Sequence, residues 1–238
     1  MLGVSLQEAK SKLTNSTVSE NCIRIMNFDD FSKRISKIKN LPLPGEDSHY
    51  KMAPLLRIQE LQKEKNQFKN PRKAAVLSLF YPNTHKNTNL LLILRKTYKG
   101  VHSNQIGFPG GKIEKGDVNL LHTALRETYE EVGVVPEEVE VIKTLTQIYI
   151  PPSNFKVQPY IGLYKNPSPF IIQESEVEAL VEVSLSDFMD DSLIFNQKLT
   201  TSYAENIDVP AFKLNGYTVW GATAMMLSEV KELLKQVL

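Results

Sequence analysis

Only one cysteine, Cys22, occurs in the 238 residues, which excludes an internal disulfide and fits a reducing compartment. A lone thiol in a polar leader reads as incidental rather than catalytic. An excess of charge of one sign is also missing. Against 28 Lys and Arg stand 27 Asp and Glu, a formal net charge of +1, so no global field argues for a nucleic acid or a membrane surface as partner. No apolar run reaches the roughly 18–20 residues that cross a bilayer. Internal repeats and low-complexity segments are lacking too. The first 25 residues have no apolar core of a signal peptide, and Glu8 and Glu20 weigh against a mitochondrial presequence. Gln236-Val237-Leu238 is not a peroxisomal address. The expected setting is therefore cytoplasmic. An apolar content of 42% suffices for one sizeable domain with an extension, or for two small ones.

Periodicity organises what is there. Phe28, Phe31, Ile35 and Ile38 form one stripe, which predicts an amphipathic helix over 27–40, ended by Leu41-Pro42-Leu43-Pro44-Gly45. Residues 46–73 are polar and basic, with a short helix expected near Leu55–Lys65. They read as a solvated linker, with a substrate rim as the alternative. Lys69, Arg72 and Lys73 read as solubilising, with a phosphate contact as the alternative. Strands are expected over 74–81, 90–96, 139–150, 157–163 and 177–183, with turns at 83–89 and 151–154. The unbroken apolar run in the second strand predicts burial on both faces. Tyr217–Trp220 leads into a last helix whose core stripe is Met225, Met226, Val230, Leu233, Leu234 and Val237. Trp220 is expected to anchor the core rather than to stack on a substrate. This succession predicts an α/β sandwich with a mixed sheet. The expected division is a leader, helix and linker over 1–72 and the main domain over 73–238.

The segment 107–134, GFPGGKIEKGDVNLLHTALRETYEEVGV, is the most informative in the chain. At about 100° per residue, Leu121, Ala124, Leu125, Thr128 and Val132 share one stripe of a helix. Glu127, Glu130 and Glu131 fall on the roughly opposite side, as i, i+3 and i+4 neighbours. Such carboxylates repel one another unless a cation sits among them. Ligands that offer only oxygen suit Mg²⁺, Mn²⁺ or Ca²⁺ rather than zinc or copper. The alternative is a solvated acidic face. The four histidines, His49, His85, His102 and His122, lack metal-ligand spacing.

The segment resembles the Nudix box, whose pattern is G-x5-E-x7-R-E-U-x-E-E-x-G-U with U apolar. Gly111, Arg126, Glu127, Glu130, Glu131, Gly133 and Val134 fit it. Asp117 stands in the first Glu slot with one residue too many before Arg126, and Thr128 fills an apolar slot. Asp117 is otherwise expected to cap the helix N-terminus. Upstream, Leu92-Ile93-Leu94-Arg95-Lys96 and His102-Ser103-Asn104-Gln105-Ile106-Gly107-Phe108-Pro109-Gly110-Gly111 are similar to the signature of the coenzyme A pyrophosphatase branch of that family. The branch tolerates the longer box and its Asp. Lys96 and Asn104 depart from it, and Asn104 can keep a turn that glycine would otherwise form.

The resemblance implies a Nudix-type α/β/α sandwich with an N-terminal helical extension. It implies hydrolysis of the diphosphate of coenzyme A or an acyl-CoA, giving 3′,5′-ADP and 4′-phosphopantetheine with Mg²⁺ or Mn²⁺. The alternatives are a Nudix hydrolase of another nucleoside diphosphate derivative (an ADP-sugar, NADH or a nucleoside triphosphate) and a non-enzymatic nucleotide-sensing Nudix domain. Glu127 and Glu131 are the expected direct metal ligands. Glu130 is expected to bind a second ion or hold a metal-bound water, and a carbonyl near Gly111 to complete the shell. Arg126 is expected to orient a glutamate. An additional carboxylate is expected from Glu176, with Glu174 and Glu178 as rivals. Arg95 and Gln105, with Lys112 as a weaker candidate, are expected to touch substrate. The partner is then a small molecule, not a nucleic acid or a membrane, and a homodimer is left open. The likeness in the leader begins near Met26, so translation is expected to start there, an expectation that intact-mass measurement tests.

Overall fold

Leucine-rich and β-branched runs become strands, and alternate residues along each strand decide which face of the sheet they cover. A computed structural model describes residues 26–64, 70–96, 105–199 and 206–238. Cys22, Lys69, His102 and Asn104 lie outside these, as does the segment before Met26. The chain opens with helices α1 (Phe28–Ile35), α2 (Glu46–Tyr50) and α3 (Leu55–Glu64). Strands β1 (Arg72–Pro82), β2 (Thr88–Arg95), β3 (Ile106–Gly107) and β4 (Gly110–Lys112) precede helix α4 (Leu120–Val132). Then come β5 (Val139–Thr144), β6 (Ile148–Ile150), β7 (Phe155–Tyr164), β8 (Val177–Ser184), α5 (Leu185–Met189), β9 (Ile194–Leu199), β10 (Ile207–Leu214), β11 (Tyr217–Trp220) and α6 (Gly221–Leu234).

The main sheet runs β3-β2-β1-β7-β5, with β4 also on β1, β6 on β7 and β8 on β2. Among the described residues only β1 and β7 pair in parallel, so the sheet is mixed. Leu77, Leu79 and Tyr81 of β1 and Leu91 and Ile93 of β2 face α4 through Ala124 and Val132. Phe80, Leu90 and Leu92 face the other way, into a cluster with Phe31 and Ile35 of α1 and Leu227 and Val230 of α6. The result is the expected α/β/α sandwich with a mixed sheet. Both faces of β2 are buried, as its unbroken apolar run predicts. The N-terminal helix shares the main core: Phe28, Phe31, Ile35 and Ile38 are all buried, and the Phe31 and Phe80 rings lie 5.0 Å apart.

Five departures from the sequence reading have physical causes. The stretch over 46–73, expected as a solvated linker, packs onto the domain instead: Ser48, His49, Met52 and Ala53 are buried, because His49 meets the buried Glu229 carboxylate at 3.1 Å. The expected strand over 139–150 breaks after Thr144, because the Thr146 N–H turns to the buried Glu229 carboxylate at 3.1 Å. The helix over 27–40 tightens into a 3₁₀ turn from Ser36, whose hydroxyl donates to the Lys33 carbonyl, and Ile38 stays buried. A second sheet, β9-β10-β11, escaped notice because Pro210 in β10 disguises a strand and β9 is only partly buried. Trp220, expected in the core, is half-buried and lines a cavity.

Candidate active site

Helix α4 presents the carboxylates, and its ends fix their direction. The Asn119 side chain accepts from the His122 N–H at 2.9 Å and caps the N-terminus. Asp117, expected in that role, is occupied otherwise. Its carboxylate accepts from Arg126 Nε and Nη2 at 2.9 and 3.0 Å, from Thr123 Oγ1 at 2.9 Å and from the Glu114 N–H at 2.8 Å. The two-pronged Arg126 contact is the leading reason its carboxyl sits well below the usual range. At the other end Gly133 turns left-handed at φ 77° and closes the helix.

Of the three box glutamates, two turn inward. Glu127 and Glu131 are buried, whereas the Glu130 side chain is half exposed. One turn of helix brings Glu127 and Glu131 under the β1–β4 edge rather than onto a solvated face. The double glycine makes room. At φ +143° Gly110 packs on the Ala75 carbonyl and Val76, where a Cβ would overlap backbone. A Cβ on Gly111 would overlap the Glu127 carboxylate. The Gly110 N–H donates to Glu131 at 2.8 Å.

Glu176 completes the set, and the end of α4 delivers it. The carbonyls of Glu131 and Val132 accept from the Gln173 and Ile171 N–H groups, each at 3.0 Å. Gln173 in turn accepts from the Glu176 and Val177 N–H groups, and the Glu176 carbonyl accepts from Lys96 N–H at the end of β2. Carboxylate oxygens of Glu127, Glu131 and Glu176 thereby lie within 4.8 Å of one another. Among the described residues this is the cluster that could hold an ion. Its donors are all oxygen, which suits Mg²⁺ or Mn²⁺. Glu174 and Glu178 are outside it.

Charge is managed by two arginines. Arg126 binds Glu127 at 3.0 Å, Glu130 at 2.8 Å and the Lys112 carbonyl at 3.2 Å besides Asp117, so it orients two of the box glutamates. Arg95, expected at a substrate phosphate, has Nη1 on Glu131 at 2.9 Å and on the Gly110 carbonyl at 3.3 Å. Gln105 reaches the site through its backbone: its carbonyl accepts the Arg95 N–H at 3.1 Å. Lys112 is exposed on β4 beside the cluster. Burial pushes the Glu131 carboxyl up to about 7, against the opposing pull of Arg95 and Gly110. Burial raises Glu127 also, with Arg126 opposing. Two buried carboxylates whose burial opposes their charge make a site that gains from a divalent cation. The bridge over 171–173 that aims Glu176 was not visible in the sequence, since backbone hydrogen bonds carry it.

A family model described as NUDIX domain matches residues 69–201, more than half of the chain. A protein named "Uncharacterized Nudix hydrolase NudL" from Enterobacter sp. (strain 638) is 32% identical over 161 residues, covering 68% of this chain and 82% of its own. Its namesake in Pectobacterium atrosepticum is 33% identical over 170 residues, covering 67% and 81%. Among solved structures, a Nudix hydrolase from M. Smegmatis, RenU, shares 15% of residues at a TM-score of 0.49, over 72% of this chain and 90% of that one. With its box helix, its match to the family model and the two relatives named NudL, the chain belongs to the Nudix family of hydrolases, enzymes of nucleoside diphosphate derivatives.

Proposed function

We propose that this Nudix hydrolase cleaves the diphosphate of coenzyme A or an acyl-CoA, releasing 3′,5′-ADP and 4′-phosphopantetheine. The observation that carries the reading is the run from Leu92 to Gly111, similar to the coenzyme A pyrophosphatase signature and wired to the carboxylates. Arg95 touches Glu131, and Gln105 holds the Arg95 backbone. Mg²⁺ or Mn²⁺, when bound, neutralises the diphosphate and lowers the pKa of an attacking water. Glu127 and Glu131 would hold that ion, with Glu176 as the third carboxylate. Arg126 fixes the direction of Glu127 and keeps Glu130 at the cluster's edge, available to a second ion. Gly110 and Gly111 let β4 lie against β1 and against the Glu127 carboxylate, which keeps that ligand in place. Arg95 secures Glu131 from the rear, and Lys112 offers an ammonium at the mouth. The lone cysteine supports a cytoplasmic place of action.

Incubating the purified protein with CoA, NADH, ADP-ribose and nucleoside triphosphates in Mg²⁺ or Mn²⁺ tests the reading. CoA is expected to give the highest kcat/KM, with 3′,5′-ADP and 4′-phosphopantetheine as products. A clear preference for another compound in the set would overturn the coenzyme A assignment and leave family membership intact.

A further inference from the structure

We propose that the cavity of about 190 Å³ lined by Leu94, Gln105, Ile106, Tyr217, Thr218 and Trp220 seats the adenine base of the substrate. The inference rests on the reading above that the substrate is an adenine nucleotide derivative. Its first support is position. Leu94 and Arg95 are consecutive on β2, where its pairing with β8 shifts register, and their side chains serve different faces of the sheet. Arg95 reaches Glu131, while Leu94 packs with the cluster on the α6 side. Gln105 lines the cavity and gives its carbonyl to the Arg95 N–H. The cavity and the carboxylates thus lie back to back around one end of the sheet, where β2 stops and β3 and β8 start. A nucleotide that laid its diphosphate on the carboxylates could turn its base around that end.

Size and chemistry select the base. The volume is below the about 300–1,000 Å³ of pockets that take up a whole drug-sized ligand, so one compact piece enters. An indole and a phenol supply flat surface, on which every nucleobase can stack. Thr218 adds a hydroxyl to the lining, which can donate to a ring nitrogen of the base. A pantetheine arm is long and flexible and has no flat face to match. Trp220 also has no other evident duty: it joins neither of the hydrophobic clusters of the described residues. Thr223, in the first turn of α6, donates to the Ile106 carbonyl at 3.0 Å and fixes β3 against the helix that follows Trp220.

Trp220 is the only tryptophan in the chain, which makes its fluorescence a direct reporter. Adenosine and 3′,5′-ADP, titrated separately, are expected to quench it saturably, and 4′-phosphopantetheine to leave it unchanged. Trp220→Leu should raise KM for CoA by about 5–150-fold, the value of one lost base stack, and leave kcat within about threefold, since the stack exists before and during the reaction. Trp220→Phe keeps a ring, should raise KM less, and guards against a folding artefact in the first variant. Quenching by 4′-phosphopantetheine but not by adenosine would overturn the proposal in favour of the arm. CoA hydrolysis with no quenching by either would overturn it outright. Quenching by adenosine without hydrolysis of CoA would support the cavity and sink the coenzyme A reading instead.

Discussion

At Glu131 burial and charge oppose each other. Its side chain is fully buried, its carboxyl is pushed up to about 7, and among the described residues Arg95 and the Gly110 N–H hold the charge. A folded-state pKa raised above the unfolded value means that the folded chain binds the extra proton. The contribution to stability is then complete in acid and is lost as pH rises through about 7. Metal-free protein should therefore lose this contribution between acid and neutral pH, and Glu131→Gln should melt higher than the parent at about pH 8. Thermal unfolding in a chelator at both pH values checks it, and a variant that melts lower would show the Arg95 and Gly110 hydrogen bonds outweighing desolvation. The same change should lower kcat by about 10²–10⁴, as for loss of one electrostatic or general-base group. Near-normal turnover would remove Glu131 from the catalytic set. Activity should fall in acid and recover with more metal, because the ion must displace the Glu131 proton. A pH profile that does not move with Mg²⁺ concentration would contradict that coupling.

At the scale of elements, strand β4 and helix α4 are fitted to each other through a missing side chain. Gly111 leaves the space that the Glu127 carboxylate fills. Gly111→Ala puts a methyl group there, so Glu127 must swing away while the backbone keeps its ordinary conformation. Mn²⁺ affinity should drop by about 10–100-fold, the usual effect of disturbing a ligand's support, with circular dichroism unchanged. Calorimetric titration measures it, and unaltered affinity would mean that Glu127 does not bind the ion in this position. Gly110 is a harder case, since its neighbours are backbone and its φ is positive. Gly110→Ala should cost folding itself.

The whole molecule is held by a buried polar tie distant from the carboxylates. Glu229 in α6 is fully buried, 3.1 Å from His49 of α2 and 2.6 Å from the Thr146 hydroxyl. Burial pushes its carboxyl up, but the His49 and Thr146 contacts outweigh burial and leave it lowered. Helix α2, the strand break and the C-terminal helix therefore meet on one carboxylate. Glu229→Ala would strand His49 and the Thr146 N–H and should destabilise by about 3–5 kcal/mol, read from urea unfolding. A loss below about 1 kcal/mol would show that water replaces the carboxylate. A chelator, by contrast, should abolish turnover and leave the far-ultraviolet spectrum intact, because the apolar clusters and this tie are independent of any ion. Unfolding on chelation would make the metal structural.

The sequence by itself determined the helix that carries Glu127 and Glu131, because 3.6-residue periodicity places both on one turn, and it determined the strands whose apolar runs are long. It also marked Gly110 and Gly111 as places where backbone must come close. Only the tertiary structure decided that Glu130 turns out to Arg126 while Glu176 turns in, since the backbone bonds of residues 171–173 to the end of α4 have no side-chain signature. Asp117 was legible as polar and near the helix start, but not its partner, because Asn119 two residues later competes for the cap and Arg126 sits nine residues away. Trp220 looked like a core residue because most tryptophans in an apolar run are buried. Whether such a ring packs inward or walls a cavity depends on what the opposite sheet edge places before it, and here that edge is Leu94 and Ile106. Local periodicity can be read along a chain; the meeting of distant segments is set by how the folded surfaces fit.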